Sequence, residues 1–320
     1  MMRRGERKGR IRDISYLMKP RVIFSAFKYL MKTEPGSIPF LRTVKSQQPK
    51  IEKGKYIADL HAHPYISRDT PSEDLSHTMD VMVKNNVRML AVTTHGKGSP
   101  REMDFWDVKE FMIRNDIEFE DKGNMLTVEH KGKKLQFISS YEMYVEVPGL
   151  NGRLDVLVLL PEKEFREQAE QGMQFSDYVK LSRDNNGIVI AAHPYTIWDA
   201  HGPANFFTFR IANEGERKLI QDKVFTHVDS ADRVSSNCAW MIHSDELLFD
   251  DYGVTLTNSD VHAKTKYNRL EIGRAGNVLA EGIDLREAII TRKHENYMNY
   301  TPSLQFLISI AFDKPPKGFP

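Results

Sequence analysis

The chain has a single cysteine, Cys238, in 320 residues. An internal disulfide is excluded, and so is a zinc site built on paired thiolates. Any metal ion must be held by His, Asp and Glu, and a reducing compartment fits this usage. Long apolar runs are also missing. The nearest to one, Ile14 to Met31, is interrupted by Lys19, Pro20, Arg21 and Lys28. It is too broken to span a bilayer, and it lacks the compact apolar core and small-residue cleavage site of a signal peptide. A cytoplasmic protein is expected, with peripheral membrane association left open. Neither an internal repeat nor a low-complexity tract is visible. Net charge is scarce too, at +1.

That balance hides a split. Residues 1–55 hold fifteen Lys+Arg and four Asp+Glu, a net of +11, and the remainder nets −10. A basic arm of this kind meets nucleic acid or an anionic membrane, docks on its own acidic body, or is simply solvated. A helix starting near Pro20 (Val22, Ile23, Phe24, Phe27, Leu30, Met31) is amphipathic enough to lie on a membrane or to cap an apolar surface.

Beyond the arm, the stretch Ile57-Ala58-Asp59-Leu60-His61-Ala62-His63 reads as a buried strand ending in two histidines. Residues i and i+2 of a strand share a face, so His61 and His63 project together as half of a metal site. One His-x-His is weak evidence, because a core histidine next to a surface one gives the same pattern. What matters is whether other strands also end in ligands.

Several do. Thr70-Pro71-Ser72-Glu73 reads as a capping-box helix start, and the strand Arg88 to Thr94 that follows ends in His95. A strand–helix–strand unit implies parallel strands with their C-terminal ends on one face. A polar helix at about 101–115 and a hairpin at about 117–138 come next. The strand Leu135–Tyr141 leads into Glu142, and the strand Leu154–Leu160 carries a lone acid, Asp155. A buried Asp must be paired or metal-bound, and the alternative is an edge position facing solvent. A long helix is expected at about 163–184. Strand Gly187–Ala192 ends in His193-Pro194, a short strand is expected at Val224–Val228, and strand Gly253–Thr257 leads to Asp260 and His262. A helix near 283–293 and an apolar tail close the chain. Alternating strands and helices with ligands at strand ends describe a β/α barrel with its site at the top.

Asp59-Leu60-His61-Ala62-His63, Thr93-Thr94-His95, Tyr141-Glu142, Ala192-His193-Pro194 and Ser259-Asp260-Val261-His262, in that order, resemble the motifs of the PHP family, the polymerase and histidinol phosphatase domain. The resemblance covers about residues 56–295, with 1–55 as an extension and 296–320 as a tail. It implies a distorted (β/α)7 TIM-like barrel that holds two to three divalent transition metals (Zn, Mn or Fe). It also implies phosphoester hydrolysis by a hydroxide held between the ions, on a phosphorylated small molecule, a nucleotide or an oligonucleotide. Carried over by residue, it assigns one ion to His61, His63, Glu142 and Asp260. It assigns a second to Glu142 and His193, and a third to His95, His262 and Asp69. Thr94 stands where the family has Asp, and Asp155 where it often has His; a carboxylate there can still ligate. Arg68 is the expected phosphate contact, with Lys97, Arg101 and Lys264 as further cations on that face.

Two rivals stand beside this expectation. Amidohydrolase-type barrels also begin with His-x-His, but they call for a mid-chain bridging Lys and a lone late Asp, where this chain has Glu142 and Asp260 with His262. A catalytically weakened barrel that grips nucleic acid or membrane through residues 1–55 is the other.

Overall fold

The computed structural model describes residues 51–96, 101–194, 196–198, 209–225, 234–238, 254–263 and 269–298. The arm before residue 51, Lys97, Lys264 and the tail from 299 lie outside them. The strands are β1 (Lys55–Asp59), β2 (Ile66–Ser67), β3 (Val87–His95), β4 (Glu102–Met103), β5 (Glu120–Asp121), β6 (Met125–His130), β7 (Lys133–Glu146) and β8 (Arg153–Leu159) in the first half. In the second half they are β9 (Met173–Gln174), β10 (Ile188–Ala192), β11 (Thr196–Trp198), β12 (Phe209–Ile211), β13 (Val234–Cys238), β14 (Val254–Asn258), β15 (Ala275–Ala280) and β16 (His294–Met298). The helices are α1 (Pro71–Lys84), α2 (Phe105–Arg114), α3 (Lys163–Gln168), α4 (Phe175–Asp184), α5 (Glu214–Ile220) and α6 (Leu285–Ile290).

The fold is mixed α/β around one sheet of order β14-β13-β10-β8-β7-β3-β1-β15-β16. β1, β3 and β7 are parallel neighbours, as are β10, β13 and β14. β8 runs against both β7 and β10. The uninterrupted parallel set expected from the sequence therefore does not form. The segment joining β7 to β8 is only a short turn, with Gly149 and Gly152 at positive φ, and so short a connection makes a hairpin rather than a crossover.

Period-2 alternation sorts the strand residues onto two faces. Met89 and Ala91 of β3, Ile138 of β7, Leu157 and Leu159 of β8, and Ile190 and Ala192 of β10 join one core with Ala58, Leu256 and Leu279. The intervening Leu90, Val92, Phe137, Val156, Val158 and Val189 join the other core, together with helix residues such as Leu75, Met82 and Tyr178. The first face bends around itself until β14 reaches β15. Thr257 N–H donates to Asn277 Oδ1 at 3.1 Å, and Thr257 Oγ1 donates to the Gly276 carbonyl at 2.7 Å. Asn277 Nδ2 donates to the Thr257 carbonyl at 2.9 Å and to Asn258 Oδ1 at 3.1 Å. This seam is made by side chains, so the ladder of paired strands is not a closed ring.

Past the strand ends the backbones themselves meet. Asp260 N–H donates to the His61 carbonyl at 2.7 Å, His63 N–H to Val261 at 2.8 Å, and Ala263 N–H to His63 at 2.8 Å. Buried Asp59 accepts from Ser259 N–H (3.1 Å) and Gly273 N–H (2.9 Å), and burial pushes its carboxyl up to about 6 against those two bonds. Wholly buried Arg269 braces the loops behind, donating to the carbonyls of Tyr65 (3.2 Å) and Ala263 (3.4 Å) and pairing with Asp74 at 3.0 Å.

Three local expectations are corrected. The 163–184 helix is two helices, α3 and α4. Gly172 turns the chain with φ +81°, and its N–H bonds the Tyr144 carbonyl, which ties the break to β7. Gln221–Phe225 is a π-helical continuation of α5, where a strand was expected from Val224; the rest of that strand lies outside the described residues. Thr70 is the residue before α1 but makes no capping bond to the backbone; its hydroxyl donates to Asp74 instead.

Candidate metal centre

The first face carries its apolar residues at one end and its ligands at the other. Along β3 it runs Met89, Ala91, Thr93, His95, and along β7 Ile138, Ser140, Glu142, Tyr144. β8 enters from the opposite direction, so Arg153 and Asp155 stand at the ligand end and Leu157 below them, with Tyr144 paired to Asp155 and Glu142 to Leu157. His193 follows directly on β10, and Asp260 and His262 follow β14. His63 and His262 form a bridge across the seam.

Glu142 is the centre of the cluster. Its carboxylate oxygens lie 3.2 Å from His61 Nε2, 3.1 Å from His63 Nε2, 3.3 Å from His95 Nε2 and 3.4 Å from His193 Nε2. Asp260 Oδ1 is 3.2 Å from His61 Nε2 and 3.4 Å from His63 Nε2. Asp155 Oδ2 is 3.5 Å from His193 Nε2. Three groups of donor atoms result: His61, His63, Glu142 and Asp260; Glu142, Asp155 and His193; and His63, His95 and His262.

These donors fit a metal ion. Ligands bonded at about 2.0–2.1 Å in a tetrahedron stand about 3.3 Å apart, close to the spacings here. Glu142 Oε1 and His63 Nε2 are buried with no hydrogen bond among the described residues. At such close range, buried polar atoms without directed bonds converge on a shared point rather than on each other. The geometry is therefore compatible with a metal site.

Electrostatics point the same way. Burial alone would depress the His63 imidazole, but Asp260 and Glu142 beside it hold it up at about 10. His193 is held up at about 9, burial again being outweighed, here by Glu142 and Asp155. Burial would raise Asp260 and Glu142, yet the surrounding histidines, His61 foremost, hold both well below the usual carboxylate range. His95 and His262 on the open side are pushed down by desolvation and then by the charge on His63. Concentrated, opposed charge in a buried cleft is a signature of functional sites. So is backbone strain, and His193 (φ 31°) and Asp260 (φ 47°) both sit in the left-handed region that side chains disfavour.

Of the residues named from sequence, the structure brings together His61, His63, His95, Glu142, Asp155, His193, Asp260 and His262. Asp155 is buried, so the solvent-facing alternative does not hold. Asp69 is not brought in. Ile66 and Ser67 pair with Met103 and Glu102, and Asp69 is exposed in the turn that enters α1. Arg68 is exposed and committed to Asp107, and Arg101 is exposed, its carbonyl accepting from Arg68 N–H. Thr94 is buried on the other face, its hydroxyl donating to the Gly96 carbonyl. Sequence reasoning missed Tyr144 and Arg153, which line the mouth of the site. The period-2 count outward from Glu142 and Asp155 is the signal that reaches them. Burial and then the nearby Asp155 and Glu142 carboxylates push the Tyr144 phenol up. Among the described residues no helix is long and apolar enough to cross a membrane. No family model matches the chain, and no curated protein matches it by sequence.

Proposed function

We propose that this protein is a metal-dependent phosphoesterase of the PHP type, a hydrolase for phosphomonoesters or phosphodiesters. The observation that carries the proposal is Glu142, a buried carboxylate within 3.4 Å of four imidazole nitrogens contributed by three strand ends. On this reading the curled sheet is a distorted TIM-like barrel, with the seam between β14, β1 and β15 as its point of closure. Two to three ions of the Zn, Mn or Fe class would be held by the three donor groups, Glu142 being shared between the first two. Such ions supply Lewis acidity toward phosphoryl oxygens and a nucleophile at neutral pH.

The chain's own residues do the rest. Glu142 and Asp260 neutralise the positive charge gathered at the first donor group. The loop carrying His61 and His63 is pinned by backbone bonds, Asp260 N–H donating to the His61 carbonyl and His63 N–H donating to the Val261 carbonyl, so both rings are oriented before a substrate arrives. Burial at the base of the site excludes bulk water and strengthens each electrostatic contact there. The basic arm, residues 1–55, is a candidate contact for nucleic acid or anionic membrane. Hydrolysis of p-nitrophenyl phosphate and of bis-p-nitrophenyl phosphate by metal-loaded protein tests the proposal. Activity that His61→Ala abolishes while the fold persists is expected. Activity equal in His61→Ala and the parent would place the chemistry elsewhere.

A further inference from the structure

We propose that Arg153 is the side chain that grips the substrate's phosphoryl group, donating to a non-bridging oxygen at the outer side of the Glu142, Asp155 and His193 donor group. The assignment rests on the phosphoesterase reading and deepens it. A transferring phosphoryl group needs positive charge beyond its metals. Each cation expected from the sequence is unsuited or lies outside the described residues. Arg68 is bound to Asp107, Arg101 is exposed, and Lys97 and Lys264 are not described. Two other arginines are consumed by structure: Arg166 pairs with Asp104 at 2.8 Å and Asp107 at 3.2 Å, and Arg269 is spent on carbonyls and Asp74.

Arg153 differs from all of these. It lies two residues from Asp155 on the same strand and therefore on the same face, one step further out. Its Nε–H is buried with no hydrogen-bond partner among the described residues, which is costly for a charged group and leaves a donor available to a ligand. Its register partner, Glu146, is the obvious neutralising group. The two form no ion pair, however, and Glu146 accepts instead from Gln174 Nε2 at 3.0 Å. Tyr144 stands between Arg153 and the cluster and feels the charge of both Arg153 and Asp155. Walking outward along β7 and β8, the face reads Glu142, then Tyr144 with Asp155, then Glu146 with Arg153. A planar guanidinium with parallel donors at that position suits phosphate oxygens better than an ammonium would.

Binding of inorganic phosphate to full-length, metal-loaded protein tests the assignment by titration calorimetry, with metal content measured on the same samples. Arg153→Gln should keep the metal complement of the parent and lose about ten- to a hundredfold in phosphate affinity, the worth of one charge-assisted bond. Arg153→Lys should recover part of the loss. On p-nitrophenyl phosphate, KM should rise more than kcat falls. If Arg153→Gln binds phosphate as tightly as the parent with its metals in place, the assignment is wrong and the phosphoesterase reading stands. If the loaded parent binds no phosphate at all, both fall. If Arg153→Gln and Arg153→Lys both lose metal, Arg153 is a support of the cluster and the assignment is overturned.

Discussion

The two flanks of the cluster are built from different materials. On one side Glu142, Asp155 and His193 offer two carboxylates and one imidazole, all almost fully buried. On the other, His63, His95 and His262 offer three imidazoles, with the His95 side chain 39% and the His262 side chain 27% exposed. The buried flank stands on adjacent paired strands, and the open flank hangs on a strand end and two loops. Oxygen donors favour harder ions such as Mn, and imidazoles favour Zn. The difference also bears on strength. One His63 nitrogen serves one ion, so if His63 belongs to the first donor group, the open flank keeps only two imidazoles. Asp69, turned to solvent, does not add a carboxylate to it. The buried flank should thus hold its ion tightly and discriminate by hardness, and the open flank should hold one loosely.

The largest effect should come from removing Glu142, which the buried flank shares with the His61, His63 and Asp260 donor group. Glu142→Ala should lower phosphoesterase activity by at least about a thousandfold, the kinetic equivalent of several kcal/mol of transition-state stabilisation. It should also strip both tightly held ions, as read by elemental analysis. Next comes the comparison itself. Asp155→His should keep metal binding but move the buried flank toward Zn, so that protein loaded from an equimolar Zn and Mn mixture takes up several-fold less Mn than the parent. An unchanged metal ratio would show that the carboxylate does not set the preference. His95→Ala should cost about ten- to a hundredfold in activity, the scale of tuning effects around a metal, and leave the tight ions in place. Equal losses from His95→Ala and Glu142→Ala would erase the distinction between the flanks.

Much of this site is legible in the sequence because its ligands sit at strand ends, where a period-2 pattern and a terminal His or Glu are visible without coordinates. Asp155 is visible for another reason: a lone acid in an apolar run must be accounted for. Asp69 misleads because spacing alone carries it, and a two-residue pairing between β2 and β4 is too short to leave a hydrophobic pattern. The antiparallel sense of β8 is likewise hidden, since a buried strand reads the same in both directions. The seam is invisible for a further reason. Asn277 and Thr257 are ordinary polar residues until long-range contact gives them partners.

Smaller effects follow. Asn277→Leu should destabilise the fold by about 1–3 kcal/mol, because Thr257 N–H and three buried acceptors lose their partner, and urea unfolding measures it. The smallest signal is protonic. In the metal-free protein His63 at about 10 and His193 at about 9 both carry a proton at neutral pH. An imidazole must lose that proton to bind a metal, so loading at pH 7 should release about two protons, and affinity should strengthen as pH rises toward 9. A pH-stat records the release.

The most direct test is a metal titration of chelator-stripped, full-length protein followed by native mass spectrometry, run beside Glu142→Ala. The account predicts about two tightly bound ions in the parent, a third that appears only at higher metal concentration, and no tight ion in Glu142→Ala. A parent that binds no ion tightly, or a Glu142→Ala protein that binds as the parent does, would contradict it.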